Sequence, residues 1–146
     1  MNVVVRRATA ADLDAVVPLF DAYRQFYGKA ADLELARRFL SDRLALGDSV
    51  VLIAERPGGG AVGFVQLYPS FSSVRAAPIY ILSDLFVVPE ARKHGVGSLL
   101  LKSAADSARD HRGLGERPAS ARRYTLGTSR ESVEGEGDSV HESFPA

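Results

Sequence analysis

The stretch DLFVVPEARKHGVGSLLLKSA, Asp84 to Ala104, changes character twice. An apolar run breaks at Pro89, a basic loop punctuated by Gly95 and Gly97 follows, and apolar residues resume at Val96. From there Val96, Leu99, Leu100, Ser103 and Ala104 recur at helical spacing, so a strand must feed a helix through a short loop. The first turn of a helix offers unpaired N–H groups and the positive end of its dipole, which together bind anions. Glycine at 95 and 97 lets phosphate oxygens approach that backbone with no β-carbon in the way, and Arg92 and Lys93 add charge beside it. The segment reads as a diphosphate-binding loop. The plainer reading of the two glycines is an ordinary tight turn, and that of Arg92, Lys93 and His94 is a solvated loop. A dinucleotide fingerprint would need a third glycine where Leu100 stands, and a Walker loop would end in Gly-Lys-Ser/Thr, which GVGSLL lacks.

The rest of the chain supplies the other elements of an α/β fold with a mixed sheet. Val3–Arg6 reads as a first strand, and Thr9 with Asp12 as a capping box. Behind it Leu13, Val16, Val17, Phe20, Tyr23 and Tyr27 lie on one helical face, which Gly28 ends. A second helix spans about 33–46, with Leu35 above Phe39, the row Ala36, Leu40, Leu44 beside it, and Gly47 as its stop. SVVLIAE, the turn RPGGG and AVGFVQLYP form a hairpin that Pro69 closes, and PIYILSDLFVVP is the next strand. Apolar residues on both faces of these runs imply a sheet covered on each side. The helix after the loop extends to about residue 108, and ARRYTLGT offers one more strand. The order is β, α, α, β, β, β, α, β.

Composition narrows the partners. Eighteen basic and eighteen acidic side chains leave no global field for nucleic acid or an anionic membrane, so an anion site must be local. With no cysteine there is no disulfide, thiolate metal site or cysteine nucleophile, and no metal ligand set is read. No apolar run reaches the roughly 18 to 20 residues of a spanning helix, and the N-terminus lacks signal-peptide order, so a cytoplasmic protein is expected.

Arg92-Lys93-His94-Gly95-Val96-Gly97 after a central strand resembles the signature of the Gcn5-related N-acetyltransferase superfamily, Arg/Gln-x-x-Gly-x-Gly/Ala. The resemblance covers roughly residues 2 to 112 and implies the fold of acyl-CoA N-acyltransferases, with acetyl-CoA as co-substrate. It implies that Arg92, Lys93, His94, Gly95, Val96, Gly97 and Ser98 wrap the pyrophosphate. It further implies that Phe86, Val87 and Val88 pair their backbone with the pantetheine arm, and that an N–H near Val87 holds the thioester oxygen. IYILSDLFV and AYRQFYGK resemble the diamine and polyamine acetyltransferase branch. Tyr23, Arg24, Phe26 and Tyr27, with Gln66 to Ser73, would then line a pocket for a small amine acceptor; a homodimer is common in that family. Core packing is the plainer reading of Tyr23, Phe26 and Tyr27.

Asp84 stands in an apolar strand, where an ionised carboxylate is costly unless hydrogen-bonded or paired. It is either a structural acceptor at a strand bulge or the group that takes a proton from the attacking amine or anchors a second ammonium, since attack needs a neutral amine. The family's later tyrosine-bearing helix and last strands have no counterpart after ARRYTLGT, and Tyr124 is given no catalytic role. A domain over 1–128 is therefore expected to lack its C-terminal strands. Residues 129–146 are nearly devoid of apolar side chains and are expected to be a disordered tail, or the product of a shifted reading frame. Two function classes follow: an N-acetyltransferase acting on a primary amine of a polyamine- or amino-acid-like acceptor, and a non-catalytic acyl-CoA-binding or inactive truncated relative.

Overall fold

Thr9 and Asp12 start the fold as their spacing implies. The Thr9 N–H donates to the Asp12 carboxylate at 2.7 Å, completing a capping box around a 3-10 turn that runs into α1 (Leu13–Phe26). The same carboxylate accepts from Arg6 of β1 (Val4–Arg7), and Arg6 also donates to Glu55 at the end of β2 (Val50–Glu55). A positive φ at Gly28 follows the end of α1. Asp32 caps α2 (Leu33–Leu46) by accepting from the Leu35 N–H, and Gly47 ends it in the left-handed conformation.

The computed structural model describes residues 2–110 and 125–128. The expectations for Tyr124 and for 129–146 lie outside the described residues. Within them β3 (Ala61–Ser72), β4 (Ala77–Val87), α3 (Val96–Asp110) and β5 (Thr125–Thr128) complete the expected order. One sheet carries the strands in the order β1-β2-β3-β4-β5, antiparallel as far as β4 and parallel between β4 and β5.

Both faces of the sheet are covered, as the doubly apolar strands imply. Leu52, Val65, Leu67, Leu82, Leu85 and Val87 pack against Val96, Leu100, Ala104 and Ala108 of α3. Their alternates Val51, Ile53, Phe64 and Phe86 pack against Val16, Val17 and Phe20 of α1 and Ala36 and Leu40 of α2. Gly63 permits the first of these contacts: a β-carbon there would lie 2.9 Å from the Phe86 carbonyl oxygen and 3.2 Å from Leu100 Cδ1.

Two expectations need correction. Pro69 does not close its strand, because β3 continues to Ser72, paired with Ala77 of β4. Pro69 lies past Leu67, the last partner of β2, where β3 has become an edge, and an edge tolerates the missing N–H. Tyr27 does not share the buried face of α1. It falls one residue past the helix and is 52% exposed.

Candidate active site

Four features meet at the C-terminal end of β4. Arg92, half-buried in the loop after the strand, donates from Nε to the Val87 carbonyl at 2.8 Å, and its guanidinium carbon lies 5.5 Å from the centre of the Phe86 ring. The loop then turns through positive φ at Lys93 and Gly95. Lys93 is a non-glycine residue in the left-handed region, where backbone strain is tolerated chiefly at functional sites. Val96 plugs the α3 core, which leaves Lys93, His94, Gly95 and Ser98 exposed at the helix start. The first helical hydrogen bond runs from the Leu99 N–H to the Gly95 carbonyl at 3.0 Å. The N–H groups of Val96, Gly97 and Ser98 precede it and form the unpaired first turn.

The described pairing of β4 with β5 runs from Ile79 and Thr125 to Leu82 and Thr128; among the described residues Ser83–Val87 have a neighbouring strand only in β3. A bulge sits at the same point: Leu67 pairs with Leu82 and Gln66 with Asp84, which leaves Ser83 without a partner across the strand. The Val88 N–H donates to the Val62 carbonyl at 2.8 Å and the Val88 carbonyl accepts from Ala91, so the Val88 backbone is committed within the protein. By the alternation of an antiparallel ladder, Val87 therefore turns its N–H away from β3.

The bulge turns Asp84 onto the α1 and α2 face of the sheet, where it is 7% exposed. Gln66 Nε2 donates to Asp84 Oδ2 at 2.6 Å, and the Ser83 hydroxyl donates to Oδ1 at 3.2 Å. The Tyr23 hydroxyl lies against the same group and donates to the Ser83 carbonyl at 3.4 Å. Burial pushes the Asp84 carboxyl above the ordinary carboxylate range, and the hydrogen bonds from Gln66, Tyr23 and Ser83 pull the other way without cancelling it. The phenols of Tyr23 and Tyr68 are raised, first by burial and then by the nearby Asp84 charge. Both therefore remain neutral at working pH.

The structure thus brings Asp84 and Tyr23 together and sets Phe86, Val87, Arg92 and the loop to Ser98 at the C-terminal end of β4. Tyr27 meets Tyr23 in a ring contact at 5.1 Å between centroids, and Phe26 stands beside it, 53% exposed. Arg24 is part-buried on α1. The sequence reading missed Ser49, whose hydroxyl donates to Gln66 Oε1 at 3.2 Å, and missed that Gln66 is the partner of Asp84. One signal for the latter exists in the sequence: Gln66 and Asp84 are polar interruptions in apolar runs on adjacent strands.

A β-carbon at Gly97 would meet nothing within 4 Å, so the space over the α3 N-terminus is open to a ligand, and the unpaired N–H groups, Arg92 and Lys93 suit a diphosphate. The model of the acetyltransferase (GNAT) family matches residues 16–123. The chain belongs to this family. The acetyltransferase is 53% identical to the uncharacterized N-acetyltransferase YhfO of Bacillus subtilis (strain 168) over 71% of its own length and 69% of that protein's. It superposes with a TM-score of 0.69 on the crystal structure of a probable acetyltransferase that is 34% identical, covering 100% of this chain and 95% of that one. An aminoglycoside N-acetyltransferase, AAC(6')-Iy, solved in complex with CoA, shares the fold at a TM-score of 0.67 and 14% identity, over 92% and 82% of the two chains. The protein is an acetyl-CoA-dependent N-acetyltransferase with a mixed α/β sheet of GNAT type. Among its described residues no helix is long and apolar enough to cross a membrane.

Proposed function

We propose that this acetyltransferase acetylates a primary amine of a small polyamine- or amino-acid-like acceptor by direct attack, with Asp84 as the proton acceptor. Acetyl-CoA supplies the acetyl group, activated as a thioester. The chain does the rest. The first-turn N–H groups of Val96, Gly97 and Ser98, with the charge of Lys93 and Arg92, hold the diphosphate. The outward N–H of Val87 is placed to hold the acetyl carbonyl oxygen and to meet the charge that develops there as the amine adds. Asp84 takes a proton from the acceptor nitrogen, directly or through water, since only a neutral amine has the lone pair to attack; as the adduct collapses the C–S bond breaks, the carbonyl re-forms as an amide, and coenzyme A leaves as a thiolate that takes a proton from solvent. Tyr23, with Tyr27 and Phe26 above it, offers aromatic faces that attract an ammonium group on the same acceptor.

The observation that carries this reading is the buried Asp84, turned by the bulge onto the α1 face beside Tyr23, with its pKa raised by burial. The test is incubation with acetyl-CoA and a panel of diamines, polyamines and amino acids, read by mass spectrometry for the added acetyl group. Acetylation of at least one such amine is expected, with turnover falling about 100-fold or more in Asp84→Asn. Acetylation confined to other acceptor classes would reject the acceptor, and wild-type turnover in Asp84→Asn would reject the base.

A further inference from the structure

Gln66 is fully buried on β3, directly across from Asp84 on β4. One step along the same two strands the equivalent positions are Phe64 and Phe86, which fill the α1 and α2 face with apolar bulk. An amide in that layer is costly unless both its ends are bonded. Both ends are. Nε2 donates to Asp84 Oδ2 at 2.6 Å, and Oε1 accepts from the hydroxyl of Ser49, itself 1% exposed, at 3.2 Å. An ionised carboxylate can only accept, so it takes the N–H end of the amide, and the Ser49 hydroxyl, as donor to Oε1, holds the amide in that sense.

We propose that Gln66, locked by Ser49, is a positioning residue for acetyl transfer: it fixes Oδ2 of Asp84 inside the sheet and leaves the lone pair of Oδ1 not taken by the Ser83 hydroxyl for the incoming proton. The proposal rests on the reading of Asp84 as the proton acceptor. The groups around the carboxylate come from three elements: Tyr23 from α1, Tyr68 and Gln66 from β3, and Ser83 from β4. Arg43 of α2 and Asp48 before β2 act on Tyr68. The two phenols are neutral, so the hydrogen bonds are what oppose burial, and the one from Gln66, shorter than that from Ser83, opposes it most. Without it the carboxyl holds its proton to higher pH and accepts none from an amine.

The test is a carbon-13 NMR titration of the full chain, with the Asp84 carboxyl signal assigned by its loss in Asp84→Asn. In Gln66→Met, which keeps the length and removes the donor, the midpoint is expected to move up by about one pH unit or more. Ser49→Ala, which frees the amide to turn, should move it in the same direction by less. An unmoved midpoint in a folded Gln66→Met protein would overturn the proposal; if that variant does not fold, an unmoved midpoint in Ser49→Ala does so. Turnover separates the two readings. Wild-type turnover in Asp84→Asn with a raised midpoint in Gln66→Met sinks the base and leaves Gln66 as a determinant of the carboxyl alone. Lost turnover in Asp84→Asn with an unmoved midpoint leaves the base and sinks Gln66.

Discussion

A carboxylate only 7% exposed on an apolar face weakens the fold that contains it, because its neighbours offset only part of the lost hydration. The folded pKa of Asp84 lies above its unfolded value of about 3.9, so the native state prefers the protonated form. The stability tied to that preference is fully present below the unfolded pKa and is lost as pH rises through the folded one. Asp84→Asn removes the charge and keeps an oxygen that can accept from Gln66. Its melting temperature near neutral pH is therefore expected to equal or exceed that of the wild type, with the difference shrinking toward about pH 4 while turnover stays low. A clear loss of melting temperature at neutral pH would make Asp84 a structural carboxylate. At Gly97 fold and function also separate, because a side chain there meets no protein atom. Gly97→Val should fold normally and bind coenzyme A much more weakly, and unchanged affinity by calorimetry would remove Gly97 from the phosphate site. These two residues differ in how far the sequence announces their role. The role proposed for Gly97 is one of its own backbone, so its place between a strand and a helix is enough. That proposed for Asp84 depends on a pairing eighteen residues away, and an unbulged ladder counted from Leu67 and Leu82 would put Ser83 opposite Gln66 and turn Asp84 onto the α3 face.

The elements were legible because each has a period, a cap or a stop of its own: Thr9 with Asp12, Gly28, Gly47, and the apolar spacing of α3. What was not legible depends on neighbours. Pro69 reads as a strand end, yet β3 passes through it because β2 has already stopped. The turn of Asp84 onto the α1 face depends on the bulge at Ser83, which leaves no local signature. Between elements two contacts make predictions. At Gly63 β3 lies against both β4 and α3, and a methyl there meets backbone that cannot swing aside. Gly63→Ala is expected to cost about 1 to 3 kcal/mol in urea denaturation, whereas an unchanged midpoint would mean the strands have slack at that point. Arg92 ties the loop after β4 to the last residue of that strand through the Val87 carbonyl. Arg92→Ala should weaken coenzyme A by roughly 1 to 2 kcal/mol, less than the loss at Gly97, because the backbone donors of the α3 first turn remain. A loss larger than that of Gly97→Val would shift the main phosphate grip from backbone to side chain.

Across the whole molecule the equal numbers of acidic and basic residues make pH act through particular sites rather than through a net field. Two carboxyl groups do so with opposite sign. Asp84 is raised by burial, whereas the Arg6 guanidinium and the Thr9 N–H hold Asp12 down, from 3.8 to about 2. Arg6 donates to both Asp12 and Glu55, so this cluster joins β1, the entry to α1 and the end of β2 into one corner, on the far side of the sheet order from β4. For Asp12 the sign follows from the depressed value: its stabilisation is present above the unfolded pKa and is lost as pH falls through the folded one. Arg6 is 42% exposed in its side chain, so screening by solvent keeps the size modest, about 1 kcal/mol. Asp12→Asn is therefore expected to be less stable than the wild type by about that amount near neutral pH, with the gap narrowing between about pH 4 and pH 2. Urea denaturation at several pH values measures it. A gap constant across that window would assign the loss to the geometry of the capping box instead of to the charge, since asparagine can still accept the Thr9 N–H but cannot attract Arg6.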